Sequence, residues 1–193
     1  MIDLSEKIVE LHHFLAAADL PHAFGGALAL AWCTQRARGT IDIDINIFVD
    51  RARLPQALAA LPHCRIAALP EAVMVRPRDR TMLSQDGQAR VWWDQTPVDL
   101  FLNTTAYHEE VALRVRFEEF VGELIPFLDC MDVAVFKAFF NRTKDWADIE
   151  EMHNAGTLDV ERVKLILAEY LAIDDARIAR LNEVVAQAPT QNR

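Results

Sequence analysis

Two aspartates separated by one residue are the side chains in this sequence best suited to chemistry. Asp42 and Asp44 lie in the segment 41–49, where isoleucine alternates with other residues. The alternation predicts a strand, and on a strand side chains two apart share a face, with Cα atoms about 6.5–7 Å apart. Two carboxylates that close raise each other's pKa unless a cation lies between them. Hard oxygen ligands without a thiol or imidazole cluster favour Mg²⁺, with Mn²⁺ as a second choice.

A third carboxylate is available from another predicted strand. Asp99 lies in the run 98–102, which is separated from the run 89–93 by the turn-like sequence 94–97. These runs predict an antiparallel pair. If the pair folds beside the strand of Asp42 and Asp44, three carboxylates could hold one or two metal ions for phosphoryl chemistry. The alternative is a solvent-facing strand edge on which aspartates only discourage aggregation.

A pair of glycines precedes the aspartates by one helix. Gly25 and Gly26 follow a predicted short strand, 22–24, and open an Ala/Leu-rich segment of helical character. A turn without side chains at the start of a helix presents backbone N–H groups and the positive helix end, and both favour phosphate. The glycines and the aspartates together predict a phosphate-binding turn beside a divalent-ion site.

The elements that must position these residues predict an α+β fold. Over 1–128 we expect a mixed or antiparallel sheet flanked by helices, and over 129–193 a C-terminal helical subdomain. Residues 63–87 have no legible pattern, and 188–193 are expected to be a frayed tail. The predicted helices are 5–18, the segment after Gly26, 51–61, 105–112, 131–141, 144–154, 159–171 and 174–187; the predicted strands are 22–24, 41–49, 89–93, 98–102 and two within 113–128.

Composition and charge set the broad class of the protein. The 193 residues are 52% hydrophobic and 25% charged, which is typical of a globular chain with a sizeable core. No export signal or run of 18 apolar residues is visible, so we expect a cytoplasmic protein outside the membrane. The net charge of −9 argues weakly against non-specific binding of nucleic acid. A local cluster could still bind a polyanion, or could be solvated loop arginines: Arg76, Arg78, Arg80 and Arg90.

The three cysteines are expected to be reduced. Cys33, Cys64 and Cys130 are scattered, odd in number and outside any metal-binding spacing. Cys33 and Cys130 lie in apolar runs, which predicts that they are buried packing residues.

The sequence resembles a known superfamily in these same segments. "GGALALAWCTQRARGTIDIDI" and "PVDLF" resemble the polymerase-β-type minimal nucleotidyltransferases, which have a Gly-Gly or Gly-Ser turn, a helix, Asp-x-Asp on a strand and a later strand Asp. The closer resemblance, over 22–153, is to AbiEii-type toxin nucleotidyltransferases of abortive-infection systems and uncharacterised proteins near them. Arg38, Thr40, Asp42 and Asp44 follow their Arg-x-Thr-x-Asp-x-Asp order. "FKAFFNRTKDWADIEEM" resembles their Lys…Arg-x-Lys-Asp-x-x-Asp helical motif.

The resemblance implies a role for each matched position. Asp42, Asp44 and Asp99 would be the catalytic and Mg²⁺-ligating residues, and Asp99 could take the proton from the attacking hydroxyl. The nucleotide-binding set would be Gly25, Gly26, Arg38, Thr40 and Lys137. Asp145 and Asp148 match the helical motif without an assigned role. From the helix pattern alone, Lys137 could instead be the solvated side of an apolar helix.

The implied activity is the Mg²⁺-dependent transfer of a nucleoside monophosphate from a nucleoside triphosphate to a hydroxyl acceptor. An RNA end, a protein and a small molecule such as an antibiotic all fit as acceptors. The alternative is a catalytically silent module of a toxin–antitoxin-type system, which would bind a nucleotide or an antitoxin-like partner protein. Retention of all three carboxylates favours the enzyme.

Overall fold

The computed structural model describes residues 2–36, 39–65 and 87–187. Within these ranges the sheet has six strands in the order β3-β4-β2-β1-β6-β5. The strands are β1 His22–Phe24, β2 Ile43–Asp50, β3 Gln88–Trp93, β4 Thr96–Asn103, β5 Arg116–Phe120 and β6 Glu123–Phe127. The helices are α1 Leu4–Ala17, α2 Gly26–Thr34, α3 Leu54–Ala59, α4 Tyr107–Ala112, α5 Cys130–Phe140, α6 Thr143–Asn154, α7 Val160–Tyr170 and α8 Ala176–Gln187, with a 3₁₀ turn at Arg51–Arg53.

The sheet is mixed, and the predicted α+β fold class is confirmed. Strands β3 and β4 form an antiparallel hairpin, as do β5 and β6. The central strand β2 runs parallel to β4 and antiparallel to β1, and β1 runs parallel to β6. Ile43, Ile45 and Ile47 of β2 are fully buried, so the isoleucines of the alternating segment form part of the core.

The predicted strand 41–49 is wrong at its first two residues. Strand β2 begins at Ile43, and Ile41 is 79% exposed. The alternation also ends sooner than the sequence suggests, because Asn46 and Phe48 are buried as well as the isoleucines. A strand in the interior of a sheet can be buried on both faces, and β2, which lies between β4 and β1, is buried on both faces along most of its length. The charged residues of β2 are therefore at its two ends, with Asp44 near the start and Asp50 at the exposed end, and Asp42 lies just before the strand.

The described chain divides into two compact units. One comprises Met1–Leu28 and Gly39–Leu128, and contains the sheet. The other comprises Ala29–Arg38 and Asp129–Arg193, and contains the helices α5 to α8. In this division residues 29–36 group with the C-terminal helices. Among the described helices, none is both long and apolar enough to cross a membrane.

The expectation that Cys33 and Cys130 are reduced is wrong, although both are buried as predicted. Their sulfurs form a disulfide within the second unit, with the two Cα atoms 5.4 Å apart. Cys33 lies near the end of α2 and Cys130 is the first residue of α5. A separation of 97 residues hides this proximity in the sequence. Cys64 is the free cysteine of the described chain.

Candidate functional site

A row of polar side chains crosses three neighbouring strands at one level of the sheet. Asp44 on β2 is the direct partner of Asp99 on β4, and Asp99 is the direct partner of Arg90 on β3. Direct partners on adjacent strands point their side chains to the same face, and the strands lie about 4.8 Å apart. The sheet therefore places two carboxylates and one guanidinium side by side. The pair of strands with Asp99 does fold beside the strand of Asp44, which is the condition that the sequence set for a shared site.

Arg90 and Asp99 form a bidentate ion pair. Arg90 Nε donates to Asp99 Oδ1 at 2.6 Å, and Nη2 donates to Oδ2 at 2.5 Å. The Arg90 side chain is 55% exposed and that of Asp99 is 17% exposed. The hydrogen bonds from Arg90 to Asp99 raise the pKa of Arg90, and the negative charges of Asp99, Asp42 and Asp44 raise it further. Arg90 is thus the counter-ion of all three predicted metal ligands.

Thr40 fixes the carboxylate of Asp42. The Thr40 hydroxyl donates a short hydrogen bond to Asp42 Oδ1 and lies 3.2 Å from the Asp42 carbonyl oxygen. Asp42 is half-buried just before β2. The Thr-x-Asp order in the sequence therefore has a local structural reason. Arg38, the other predicted nucleotide-binding residue of this motif, lies outside the described residues.

The glycine turn encloses the carboxylate of Asp44. The Gly25 N–H donates to the Asp44 carbonyl oxygen at 2.9 Å, which continues the sheet from β1 to the turn. Gly26 opens α2 with a φ of +53°, and a Cβ built on it would lie 1.7 Å from Asp44 Oδ2. The positive end of a helix stabilises a carboxylate at this position. In this structure Gly26 makes room for Asp44, whereas Gly25 makes room for Asn46 and Leu128 and its amide is engaged by the sheet.

The three predicted metal ligands can be compared with what a divalent cation requires. Oxygen atoms of Asp42, Asp44 and Asp99 are the ligand type that Mg²⁺ prefers. In the part of the chain that the structure describes, however, no group of three His, Cys, Asp or Glu side chains is arranged to hold a metal ion. Both oxygens of Asp99 are bonded to Arg90. The chemistry of the donors fits, and a triad around a cation requires Asp99 to exchange Arg90 for that cation.

The helical motif of the second unit forms its own ion-pair network. Lys137 Nζ donates to Asp148 Oδ2 at 2.6 Å and lies 3.9 Å from Asp145 Oδ1. Arg142 makes a bidentate pair with Asp145 through Nε and Nη2, at 2.7 and 3.0 Å. Burial raises the pKa of Asp145, but the hydrogen bonds from Arg142 and the charges of Arg142 and Lys137 outweigh it and keep this pKa below its ordinary value.

This network gives Asp145 and Asp148 the role that the sequence left unassigned. The two aspartates are buried and they neutralise Lys137 and Arg142. The reading of Lys137 as a solvated helix residue is wrong, because its side chain is only 12% exposed. Its contact with nucleotide phosphates stays a prediction.

Arg90 is the residue whose role sequence reasoning missed. The sequence places it in one basic cluster with Arg76, Arg78 and Arg80, which lie outside the described residues. The structure pairs it with Asp99 instead, so it is not a free contact for a polyanion in this state. The signal lay in the turn: a two-residue loop at Asp94 and Gln95 places Arg90 opposite Asp99, whereas a turn over 94–97 does not.

The fold defines the general class of protein to which this chain is similar. The mixed sheet flanked by helices is a nucleotidyltransferase-like fold. The solution structure of an antibiotic-resistance factor, ANT(2'')-Ia, has this fold with a TM-score of 0.53, at 16% identity over 93% of this chain and 97% of that chain.

A crystal structure of an antigenic nucleotidyltransferase-like protein from Paracoccidioides brasiliensis is similar at 14% identity over 93% of this chain and 92% of its own, with a TM-score of 0.49. At these identities the likeness concerns the fold alone. No protein-family model matches the sequence, and no curated protein is significantly similar to it.

Proposed function

We propose that this protein is a Mg²⁺-dependent nucleotidyltransferase that moves a nucleoside monophosphate from a nucleoside triphosphate to a hydroxyl acceptor. One observation carries the proposal. Asp44 and Asp99 are direct partners on adjacent parallel strands, and Asp44 lies against Gly26 at the start of α2. Carboxylates for a cation and a helix end for phosphate are therefore neighbours in a fold that nucleotidyltransferases use.

The reaction needs few changes in bonding, and positioning supplies most of the catalysis. The acceptor oxygen attacks the α-phosphorus, the bond from that phosphorus to the bridging oxygen of the leaving group breaks, and pyrophosphate departs. The proton of the hydroxyl passes to the carboxylate of Asp99. Asp42, Asp44 and Asp99 would hold Mg²⁺, which supplies positive charge to the phosphates when bound.

Two neighbouring features support the arrangement of these carboxylates. The hydrogen bond from Thr40 orients Asp42, so the chain holds this ligand before any cation binds. Gly26 leaves space in which the Asp44 carboxylate approaches the N-terminus of α2. In this proposal Gly26 and the adjacent amides of α2 contact the phosphates, and the contact of Lys137 with phosphate rests on the sequence motif alone.

A catalytically silent nucleotide-binding or partner-binding module is the second candidate. The observation that favours it is the bond of Asp99 to Arg90, which occupies both oxygens of the proposed proton acceptor. A module could retain this ion pair permanently and need no metal. Membership of a toxin–antitoxin-type system, an antitoxin-like partner and the AbiEii-type relationship are part of this proposal and rest on the sequence motifs.

Pyrophosphate release separates the two candidates. Purified protein would be incubated with Mg²⁺, each of the four nucleoside triphosphates and pools of RNA, protein and small molecules. The enzyme is expected to release pyrophosphate, and Asp42→Asn and Asp44→Asn should reduce the rate by at least about 100-fold, as loss of a major electrostatic contact does. Asp50→Asn is a matched control because Asp50 lies at the exposed end of β2 and caps the following turn.

Mass spectrometry of the same reactions identifies both donor and recipient. The added mass gives the nucleotide, and the labelled pool shows whether the acceptor is an RNA end, a protein hydroxyl or a small molecule. Nucleotide binding without turnover in every pool would contradict the enzyme and support the silent module. Equal turnover by the wild type and Asp44→Asn would overturn both the site and its proposed chemistry.

A further inference from the structure

The Arg90 guanidinium lies where the charges of the proposed metal site converge. Its two hydrogen bonds to Asp99 have lengths of 2.6 and 2.5 Å, and Asp42 and Asp44 interact with it electrostatically. A guanidinium paired with a carboxylate through two donors is a strong and geometrically specific contact. Arg90 therefore does part of what a divalent cation would do, which is to relieve the repulsion among three carboxylates.

The sheet holds Asp99 and Asp44 in place but leaves the side chain of Arg90 able to move. The backbones of β3, β4 and β2 hold Arg90, Asp99 and Asp44 in one row. The Arg90 side chain is more than half exposed, whereas that of Asp99 is largely covered. Arg90 can therefore swing into solvent without a change in the core, while Asp99 keeps its place beside Asp44.

We propose that Arg90 is a displaceable counter-ion of the acidic site, which competes with a divalent cation for Asp99. The inference rests on the proposed function, because it assigns Asp99 to the metal. Arg90 is a positioning residue that acts through Asp99: it holds the carboxylate in place without metal and gives it up when metal binds. The apparent affinity of the site for a cation is therefore lowered, because the cation must break a bidentate ion pair before Asp99 becomes available as the third ligand.

Competition predicts that loss of Arg90 tightens metal binding. Removal of one positive charge and two hydrogen bonds next to the ligands should lower the Kd for Mn²⁺ by about tenfold in Arg90→Gln, as expected for one charge at a few ångströms in a partly exposed site. Arg90→Lys keeps the charge but cannot form the bidentate pair. Its Kd should lie between those of the wild type and Arg90→Gln.

Titration with Mn²⁺, followed by electron paramagnetic resonance or calorimetry, measures these affinities without any substrate. Arg116→Gln is the matched control, because Arg116 is an arginine on the edge strand β5 at the other side of the sheet and contacts Glu118. Its Kd should stay within about twofold of the wild type, since screened charges that far away have little effect. Circular dichroism would establish that each variant is folded.

A measurement on the wild type avoids dependence on a variant. The Arg90 Nε–H signal in ¹⁵N NMR should shift as Mg²⁺ is added, with the same midpoint as the backbone amides of Asp42 and Asp44. If those amides shift while the Arg90 Nε–H signal stays unchanged at saturation, Arg90 remains on Asp99 and the inference is overturned.

The outcomes separate this inference from the proposed function. If the wild type binds Mn²⁺ and the Kd of Arg90→Gln is equal to or higher than that of the wild type, the competition is overturned and the metal site stands. Absence of binding in the wild type and in both Arg90 variants at millimolar Mn²⁺ overturns the metal site itself. Tighter binding in Arg90→Gln, with Arg90→Lys between and Arg116→Gln unchanged, supports both.

Discussion

The carboxylate of Asp44 lies in the space that a side chain on Gly26 would occupy. A Cβ on Gly26 would be 1.7 Å from Asp44 Oδ2 and 2.5 Å from Asp44 Cγ, and Gly26 has a φ of +53°. The glycine is therefore required twice, once by the backbone conformation and once by the neighbouring acid. This relationship links the glycine turn to the Asp-x-Asp segment, which are one helix apart in the sequence.

Gly26→Ala should destabilise the protein more than backbone strain alone explains. We expect a loss of about 2–5 kcal/mol in the free energy of unfolding, from the left-handed conformation and the displaced carboxylate together. Gly122→Ala is the control, because Gly122 has a φ of +81° and nothing within 4 Å of its Cβ position. It should lose about 1–2 kcal/mol in urea unfolding.

A double-mutant cycle isolates the clash. In an Asp44→Ala background, Gly26→Ala should cost about as much as Gly122→Ala does in the wild type, since the opposing carboxylate is gone. An unchanged cost in that background would show that the contact with Asp44 is not the reason for the glycine.

Mg²⁺ should stabilise the wild type more than Asp44→Asn. At 100 times its Kd a ligand adds about 2.7 kcal/mol, which raises Tm by about 5–10 °C for a chain of this size. Asp44→Asn removes one charge and one ligand, so its Tm should rise by less than half as much in thermal unfolding with Mg²⁺ or Mn²⁺. Equal shifts in the two proteins would indicate non-specific binding of the cation.

Lys137→Met should destabilise the second unit by about 3–5 kcal/mol, because Asp148 would be left buried without its 2.6 Å partner. Lys137→Met combined with Asp148→Asn should recover much of this loss in urea unfolding. The same double variant tests the predicted phosphate contact in a folded protein. Weaker binding of a nucleoside triphosphate, despite recovered stability, would support that contact, and wild-type affinity would contradict it.

Stability should fall with acidification because of His22. Burial lowers the pKa of His22 to about 4, from 6.5. The unfolded chain binds a proton between these values and the folded chain does not, so acid favours unfolding. The contribution of His22 to the free energy of unfolding is complete above pH 6.5. Below that pH it falls by about 1.4 kcal/mol per pH unit, so the loss approaches about 3 kcal/mol at pH 4.

His22→Asn provides the comparison for this pH dependence. Asparagine can donate to the Leu20 carbonyl oxygen, as His22 Nδ1 does at 2.8 Å, but does not titrate. Urea unfolding from pH 7 to 4 should therefore show a flatter curve in the variant. Parallel curves for the two proteins would mean that other groups cause the acid sensitivity.

Reduction should destabilise the protein through Cys33 and Cys130. Their bond closes a loop with a separation of 97 residues, and loss of such a cross-link costs about 2–5 kcal/mol. Dithiothreitol should lower the urea midpoint of the wild type and of Cys64→Ser. It should leave the double variant Cys33→Ser/Cys130→Ser unchanged. Detection of Cys33 and Cys130 as free thiols in protein unfolded without a reductant would contradict the disulfide.

The local patterns of the sequence were sufficient to predict most of the elements that carry the site. Isoleucine alternation predicts β2, the Gly25–Gly26 turn predicts the start of α2, and two apolar runs predict the hairpin of β3 and β4. These features depend on side-chain periodicity and on backbone freedom, which act over a few residues. The residue types of Asp42, Asp44 and Asp99 also indicate their chemistry, whatever their neighbours are.

Which of these residues meet depends on the register of the β3–β4 hairpin and on contacts between segments distant in the sequence. The two-residue turn at Asp94 and Gln95 fixes the register that places Arg90 against Asp99, and a shift of the turn would separate them. The parallel pairing of β2 with β4 places Asp44 beside Asp99, and the packing of the second unit brings Cys33 to Cys130. Pairings between distant segments depend on the summed burial of whole strands and helices, so no local pattern encodes them.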